Sequence, residues 1–126
     1  MSKRVLIVED EDLLRRTLAS AFREAGLVAV TAANAEEAEA FLFPTPEVDL
    51  VVMDNRLPRT DGVSVLRRLR EGEARCPVIL MTAYDRAEVR TAAETLANGY
   101  MVKPFDLARM LEEVTRLLGS NGKGRG

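Results

Sequence analysis

The apolar positions of this chain fall into two alternating periods. Unbroken apolar runs rich in β-branched residues occur at RVLIVE (residues 4–9), LVAVTA (27–32), VDLVVMD (48–54), PVILM (77–81) and GYMV (99–102). Runs of that length mark strands covered on both faces. Between them the spacing changes to three and four. Leu14, Leu18, Phe22 and Ala25 predict a helix opened by Asp10, Glu11 and Asp12, whose charge suits the positive end of the helix dipole, and closed by Gly26. Asn34 is placed to cap a short helix through Phe43, which PTPE (44–47) then breaks. Val63, Leu66 and Leu69 mark a third helix, and an Ala-rich segment from about residue 85 to 97 a fourth. The cleanest stripe is Leu107, Met110, Leu111, Val114, Leu117 and Leu118.

Five strand–helix units in succession predict an α/β fold: a single doubly wound (βα)5 domain, its parallel sheet carrying helices on both faces. The domain is expected over residues 1–118. GSNGKGRG (119–126) has nothing to bury and reads as a flexible Gly-rich tail or the start of a linker.

Composition narrows the classes. With 126 residues, 47% of them hydrophobic, the chain can bury a core without disulfides or a structural metal. A net charge of -2 argues against a broad nucleic-acid or membrane surface. Cys76 is the single cysteine, and MSKRVLIVEDED meets acids too soon for a signal peptide or a spanning helix. A soluble, cytoplasmic domain is the expectation. The chain contains no histidine, which removes the commonest general base, metal ligand and phosphohistidine site.

In an open parallel sheet, ligands bind beyond the carboxyl ends of the strands. Here the first predicted strand ends at Glu9 and Asp10, the third at Asp54, the fourth at Thr82 and the fifth at Lys103. Taken singly, each has a bland explanation. The acids could be a solvated helix start, Thr82 a turn residue, Lys103 a surface charge, and Asp54 a cap on the next amides. Accidents would scatter over both ends of the sheet, however, and these four fall on one edge. Three crowded carboxylates call for an oxygen-seeking divalent cation such as magnesium. A lysine and a hydroxyl beside them suit a phosphoryl group, with Asp54 as nucleophile.

VLIVEDE (5–11), MDNRLPRTDG (53–62), MTAY (81–84) and YMVKPF (100–105), in this order and at these spacings, make the sequence resemble the response-regulator receiver domains of two-component signalling, from about Lys3 to Leu118. The resemblance implies a strand order of 2-1-3-4-5 and Asp54 as phosphoacceptor. It implies an acid pair, Glu9 and Asp10, with Asp10 and Asp54 ligating Mg2+ (Mn2+ able to substitute) together with the backbone carbonyl of Arg56. Lys103 would hold the phosphoryl group, before a cis bond to Pro104. Thr82 and Tyr100 would form the switch, Arg56, Ala83 and Tyr84 would flank the phosphoryl site, and Pro58 and Gly62 would be structural. The implied role is regulatory: the domain catalyses only its own phosphorylation and a slow self-dephosphorylation, slowed further by the bulk of Arg56 and Tyr84. The donor would be a histidine kinase or histidine phosphotransfer protein, and the recipient an output domain or target protein. Phosphorylation-dependent dimerisation is one route of output. No direct nucleic-acid or membrane contact is expected of this domain, although residues 103–118 mildly resemble receivers joined to AAA+ transcriptional activators. LANGY (96–100) replaces the usual Gly-Ala before the last strand, which implies a shortened or irregular end to the fourth helix.

Three rival readings share parts of this pattern. Haloacid-dehalogenase-type phosphatases also use a strand-end Asp and magnesium, but need an acid where Arg56 stands. A flavodoxin-type carrier would meet repulsion from the acids at 9–12. A degenerate receiver would serve only as an interaction module.

Overall fold

Successive residues of a strand face opposite ways, and that period of two divides the core in half. The structure, a computed structural model describing residues 2–123, has five parallel strands: β1 (Arg4–Val8), β2 (Val28–Ala32), β3 (Leu50–Asp54), β4 (Val78–Thr82) and β5 (Gly99–Val102). Their order in the sheet is β2-β1-β3-β4-β5. Helices α1 (Asp12–Glu24), α2 (Ala35–Leu42), α3 (Gly62–Glu71), α4 (Ala87–Leu96) and α5 (Leu107–Lys123) join and flank them.

On one face Val5, Ile7, Leu50, Val52, Ile79 and Met81 pack against Leu18 and Phe22 of α1 and Met110, Val114 and Leu117 of α5. On the other, Leu6, Val8, Val51, Met53 and Val78 meet Ala38 and Leu42 of α2 and Val65, Leu66 and Leu69 of α3. Burying such a side chain stabilises by about 1.5–3 kcal/mol. No position inside β1, β3 or β4 can therefore be polar without cost, and chemistry is confined to the strand ends.

Local signals set the helix ends. Glu11 caps α1 by accepting from the Leu14 N–H, and Gly26, at φ +90, ends the helix in a conformation a side chain would strain. Asn34 caps α2 through the Glu37 N–H, while Glu37 Oε1 accepts from the Ala33 N–H. Asp61 caps α3 through the Ser64 N–H.

Four features differ from the sequence reading or go beyond it. The loop after β3 contains a two-stranded antiparallel ribbon, Arg56–Leu57 with Thr60–Asp61, turned at Pro58 and Arg59. The bond Phe43–Pro44 is cis, as is Lys103–Pro104. Helix α4 ends at Leu96, one residue short of the expected end: the Ala97 N–H still donates to Ala93 O, and Asn98 leads directly into β5. Asn98 Oδ1 accepts from the Val78 N–H and from Arg70, which also donates to the carbonyls of Ala74, Cys76 and Leu96. Finally, α5 continues past Leu118, so residues 119–123 are helical; residues 124–126 lie outside the described residues. Once four turns exist, extension is inexpensive even for poor helix formers, because nucleation is already complete.

Candidate functional site

Backbone hydrogen bonds carry the sheet one step beyond its strands and so fix the candidate residues. The Glu9 N–H donates to Ala32 O at 3.0 Å, the Asn55 N–H to Met81 O at 2.7 Å and the Lys103 N–H to Thr82 O at 2.8 Å. Glu9, Asp54, Thr82 and Lys103 thereby converge on the carboxyl edge. They meet where the strand order turns back on itself, with β1 lying between β2 and β3.

One oxygen each of Glu9, Asp10 and Asp54 lies within 4.8 Å of the other two. Glu9 (1% exposed) is fully engaged: Lys103 Nζ donates to Oε1 at 2.7 Å and the Glu11 N–H to Oε2 at 3.0 Å. Asp10 is exposed. Asp54 is 4% exposed, and Lys103 Nζ lies 3.4 Å from its Oδ1, outside hydrogen-bonding geometry. Among the described residues, Asp54 Oδ1 is a buried side-chain oxygen with no hydrogen-bond partner. Such an oxygen is costly unless a ligand completes it.

The electrostatics agree. Burial, followed by the charge of Glu9, pushes the Asp54 carboxyl up to about 6 against the pull of Lys103, and Asp10 adds to the rise. Burial draws the Lys103 ammonium down, but its hydrogen bond to Glu9 and the charges of Asp54 and Glu9 outweigh that and leave it above its ordinary value. The donor set is all oxygen, crowded and carries an excess of negative charge, which fits a hard divalent cation.

Around this centre the loop after β4 holds the remaining candidates. The buried Thr82 hydroxyl donates to Tyr84 O at 3.0 Å and accepts from the Tyr84 N–H at 3.1 Å. The Tyr84 ring, half exposed, stands between two guanidinium groups, Arg56 at 5.4 Å and Arg86 at 5.8 Å from its centroid. Ala83 and Arg56 are exposed. Tyr100 lies on β5 with its hydroxyl on Asp85. Gly62 opens α3 at a negative φ, and its role is close approach: a Cβ there would stand 2.7 Å from the Asp54 carbonyl oxygen. Pro58 lies in the ribbon turn between Leu57 and Thr60.

The sequence reading missed several residues that build this edge. Asn55 Oδ1 accepts from the Val63 N–H, and Asn55 O from the Gly62 N–H, tying the Asp54 loop to α3. Asp85 holds Tyr100. Arg15 reaches the carbonyl oxygen of Glu9 at 2.9 Å. Each acts through backbone or through a residue distant in sequence. The one available signal was a basic residue close behind an acidic helix start.

Comparison with known proteins points the same way. The family model for the response regulator receiver domain matches residues 5–115. Regulatory protein AtoC of Escherichia coli (strain K12) is 47% identical over 91% of this chain, which spans 25% of that protein. Transcriptional regulatory protein PhoP of the same strain is 34% identical over 94% of the chain, which spans 53% of it. The chain thus covers only a quarter to about half of these relatives. Among solved structures, the response regulator TrrA from Thermotoga maritima, in complex with Mg(2+)-BeF, superposes with a TM-score of 0.81 at 33% identity, covering 91% of this chain and 98% of that one. The non-phosphorylated HemR receiver domain from Leptospira biflexa gives a TM-score of 0.85 at 30% identity, covering 93% and 94%. Among the described residues, no helix is long and apolar enough to cross a membrane.

Proposed function

The chain belongs to the response regulator receiver domain family of two-component signalling, and on that premise we propose that Asp54 is the residue that accepts the phosphoryl group. The observation carrying this reading is the buried, unpartnered Asp54 Oδ1, set 3.4 Å from Lys103 Nζ beside the carboxylates of Glu9 and Asp10. An Asp54 oxygen attacks the phosphorus of a partner's phosphohistidine. The new P–O bond forms as the P–N bond breaks, and its electron pair stays with the imidazole. Lys103 neutralises one phosphoryl oxygen. It is already ordered by Glu9, so little reorganisation is needed.

Asp10, Asp54 and the Arg56 carbonyl would hold Mg2+ or Mn2+, with Glu9 behind them; the ion supplies positive charge beside the incoming oxygens. The Thr82 hydroxyl then leaves the Tyr84 carbonyl to donate to the phosphoryl group, and Tyr100 leaves Asp85 to turn inward. That is a two-state switch biased by a covalent charge. Arg56 and Tyr84 crowd the water path and slow self-dephosphorylation. The physiological donor is a histidine kinase or a histidine phosphotransfer protein, since this chain has no histidine of its own. A cytoplasmic location goes with that donor. The output, through an attached domain or a target protein, is transcription regulation; the naming of relatives as transcriptional regulators supports it.

Intact mass after incubation with acetyl phosphate tests the reading. The expected result is one added phosphoryl group that requires both magnesium and Asp54. An adduct that survives Asp54→Ala would overturn it. So would a folded protein that takes up neither phosphoryl group nor beryllofluoride.

A further inference from the structure

The peptide that carries the acid pair has its own clamp. Arg15 Nη1 donates to the carbonyl oxygen of Glu9 at 2.9 Å and, more weakly, to that of Asp10 at 3.4 Å. Nη2 of the same guanidinium pairs with Asp12. The next residue provides a contrast. Arg16 also reaches Asp12, at 2.9 Å, but its side chain is 74% exposed, against 17% for Arg15. One turn of α1 therefore offers two arginines to one carboxylate, and only Arg15 is drawn down against the strand end.

We propose that Arg15 is a positioning residue for the acid pair: by bridging the two carbonyls it fixes the Glu9–Asp10 peptide, and so holds Asp10 at the separation from Asp54 that a divalent cation requires. This rests on the receiver reading of the site. Glu9 is held by Lys103 and the Glu11 N–H, whereas Asp10 is exposed, and among the described residues no side-chain hydrogen bond or ion pair fixes its carboxylate. With its carboxylate untied, the placement of Asp10 depends on its backbone, and that backbone is what Arg15 grips. A planar fork with several donors can reach two carbonyls and a carboxylate together, which an ammonium cannot. Loss of a supporting group of this kind typically costs roughly 10–100-fold in metal affinity.

The test is calorimetric titration of magnesium into wild type, Arg15→Met, Arg15→Lys and Arg16→Met, each shown to be folded by circular dichroism. Arg15→Met is expected to weaken magnesium binding roughly tenfold, the lower end of what such supporting residues contribute. Arg15→Lys should not restore it, and Arg16→Met should match wild type. Melting without magnesium separates a general loss of stability, which leaves the affinity of the folded protein unchanged, from lost positioning. Unchanged or tighter binding in Arg15→Met would overturn the proposal; tighter binding would mean that the guanidinium merely repels the cation. If Arg15→Met does not fold, Arg15→Lys decides, and wild-type affinity there overturns the proposal equally. If wild type itself takes up no magnesium, the receiver reading falls as well; if it binds and the Arg15 variants match it, only the clamp falls.

Discussion

The Tyr100 hydroxyl donates to Asp85 Oδ1 at 2.9 Å, joining β5 to the loop that follows β4. Arg90 holds the same carboxylate, also at 2.9 Å, so the acceptor is itself tied down. Partial burial, and then the neighbouring Asp85, push the Tyr100 phenol up to about 12. Because the switch as proposed needs Tyr100 to turn inward, Asp85 biases the domain toward its inactive state. Asp85→Ala should therefore tighten the binding of beryllofluoride with magnesium by roughly twofold to fivefold, the scale of one exposed polar pair. Fluorescence titration would measure this, and an affinity equal to or weaker than wild type would separate this bond from the switch.

Thr82 and Tyr84 are joined through both polar groups of the Tyr84 backbone, and the Tyr84 ring lies between Arg56 and Arg86. On the proposed reading these bulky groups flank the path of water to a phosphoryl group on Asp54. Replacing Arg56 and Tyr84 together by alanine should shorten the phosphoaspartate lifetime about threefold. That is a barrier change under 1 kcal/mol, comparable with an exposed cation–π contact. Following the decay of phosphorylated protein by mass spectrometry decides it; a lifetime in the double variant as long as in wild type would show that the two side chains do not guard the site.

The five sheet strands were legible because each is an apolar run with no competing helical period, and in β1, β3 and β4 burial on both faces leaves no choice of residue. Glu9, Asp54, Thr82 and Lys103 were legible for the converse reason: they are the polar residues that interrupt those runs, and a parallel sheet collects strand ends on one edge. The ribbon at Arg56–Leu57 and Thr60–Asp61 was not, since two-residue strands carry no period. Nor was the engagement of Glu9 by Lys103, a contact between residues 94 positions apart. Asn98 fell in a segment read only as a shortened or irregular helix end, and its acceptance of bonds from Val78 and Arg70 was not legible. Polar residues that act on distant backbone leave no local pattern.

Gly62 was expected to be structural, and the constraint is one of space. A Cβ would lie 2.7 Å from Asp54 O, 3.0 Å from Leu80 Cδ1 and 3.1 Å from Asn55 Cα, and two of these three atoms are backbone. Gly62→Ala must therefore push the strand end that carries Asp54. The expected cost is about 1–3 kcal/mol of stability, the usual range for overpacking, together with weaker magnesium binding. Urea unfolding and calorimetry measure the two effects separately; a variant as stable as wild type would show that the loop yields freely.

The raised Asp54 carboxyl makes a prediction whose size depends on pH. Its value is about 6 in the folded protein against 3.8 ordinarily, so the folded state binds the proton more tightly than the unfolded state does. The associated stability is fully present below about 3.8 and is lost as pH rises through 6. At pH 7 without metal, wild type therefore carries a buried charge at a cost that Asp54→Asn removes. The variant should be more stable there, by on the order of 1–3 kcal/mol given about 1.4 kcal/mol per pKa unit. At pH 5, between the unfolded and folded values, the difference should be roughly halved, and it should close only as pH falls below about 3.8. Saturating magnesium at pH 7 should close it too, because the cation stabilises only the protein that retains the carboxylate. Thermal melts of both proteins at the two pH values, with and without magnesium, check all three statements. An Asp54→Asn variant less stable than wild type at pH 7 without metal would mean that Lys103 pairs with Asp54 more strongly than burial opposes it.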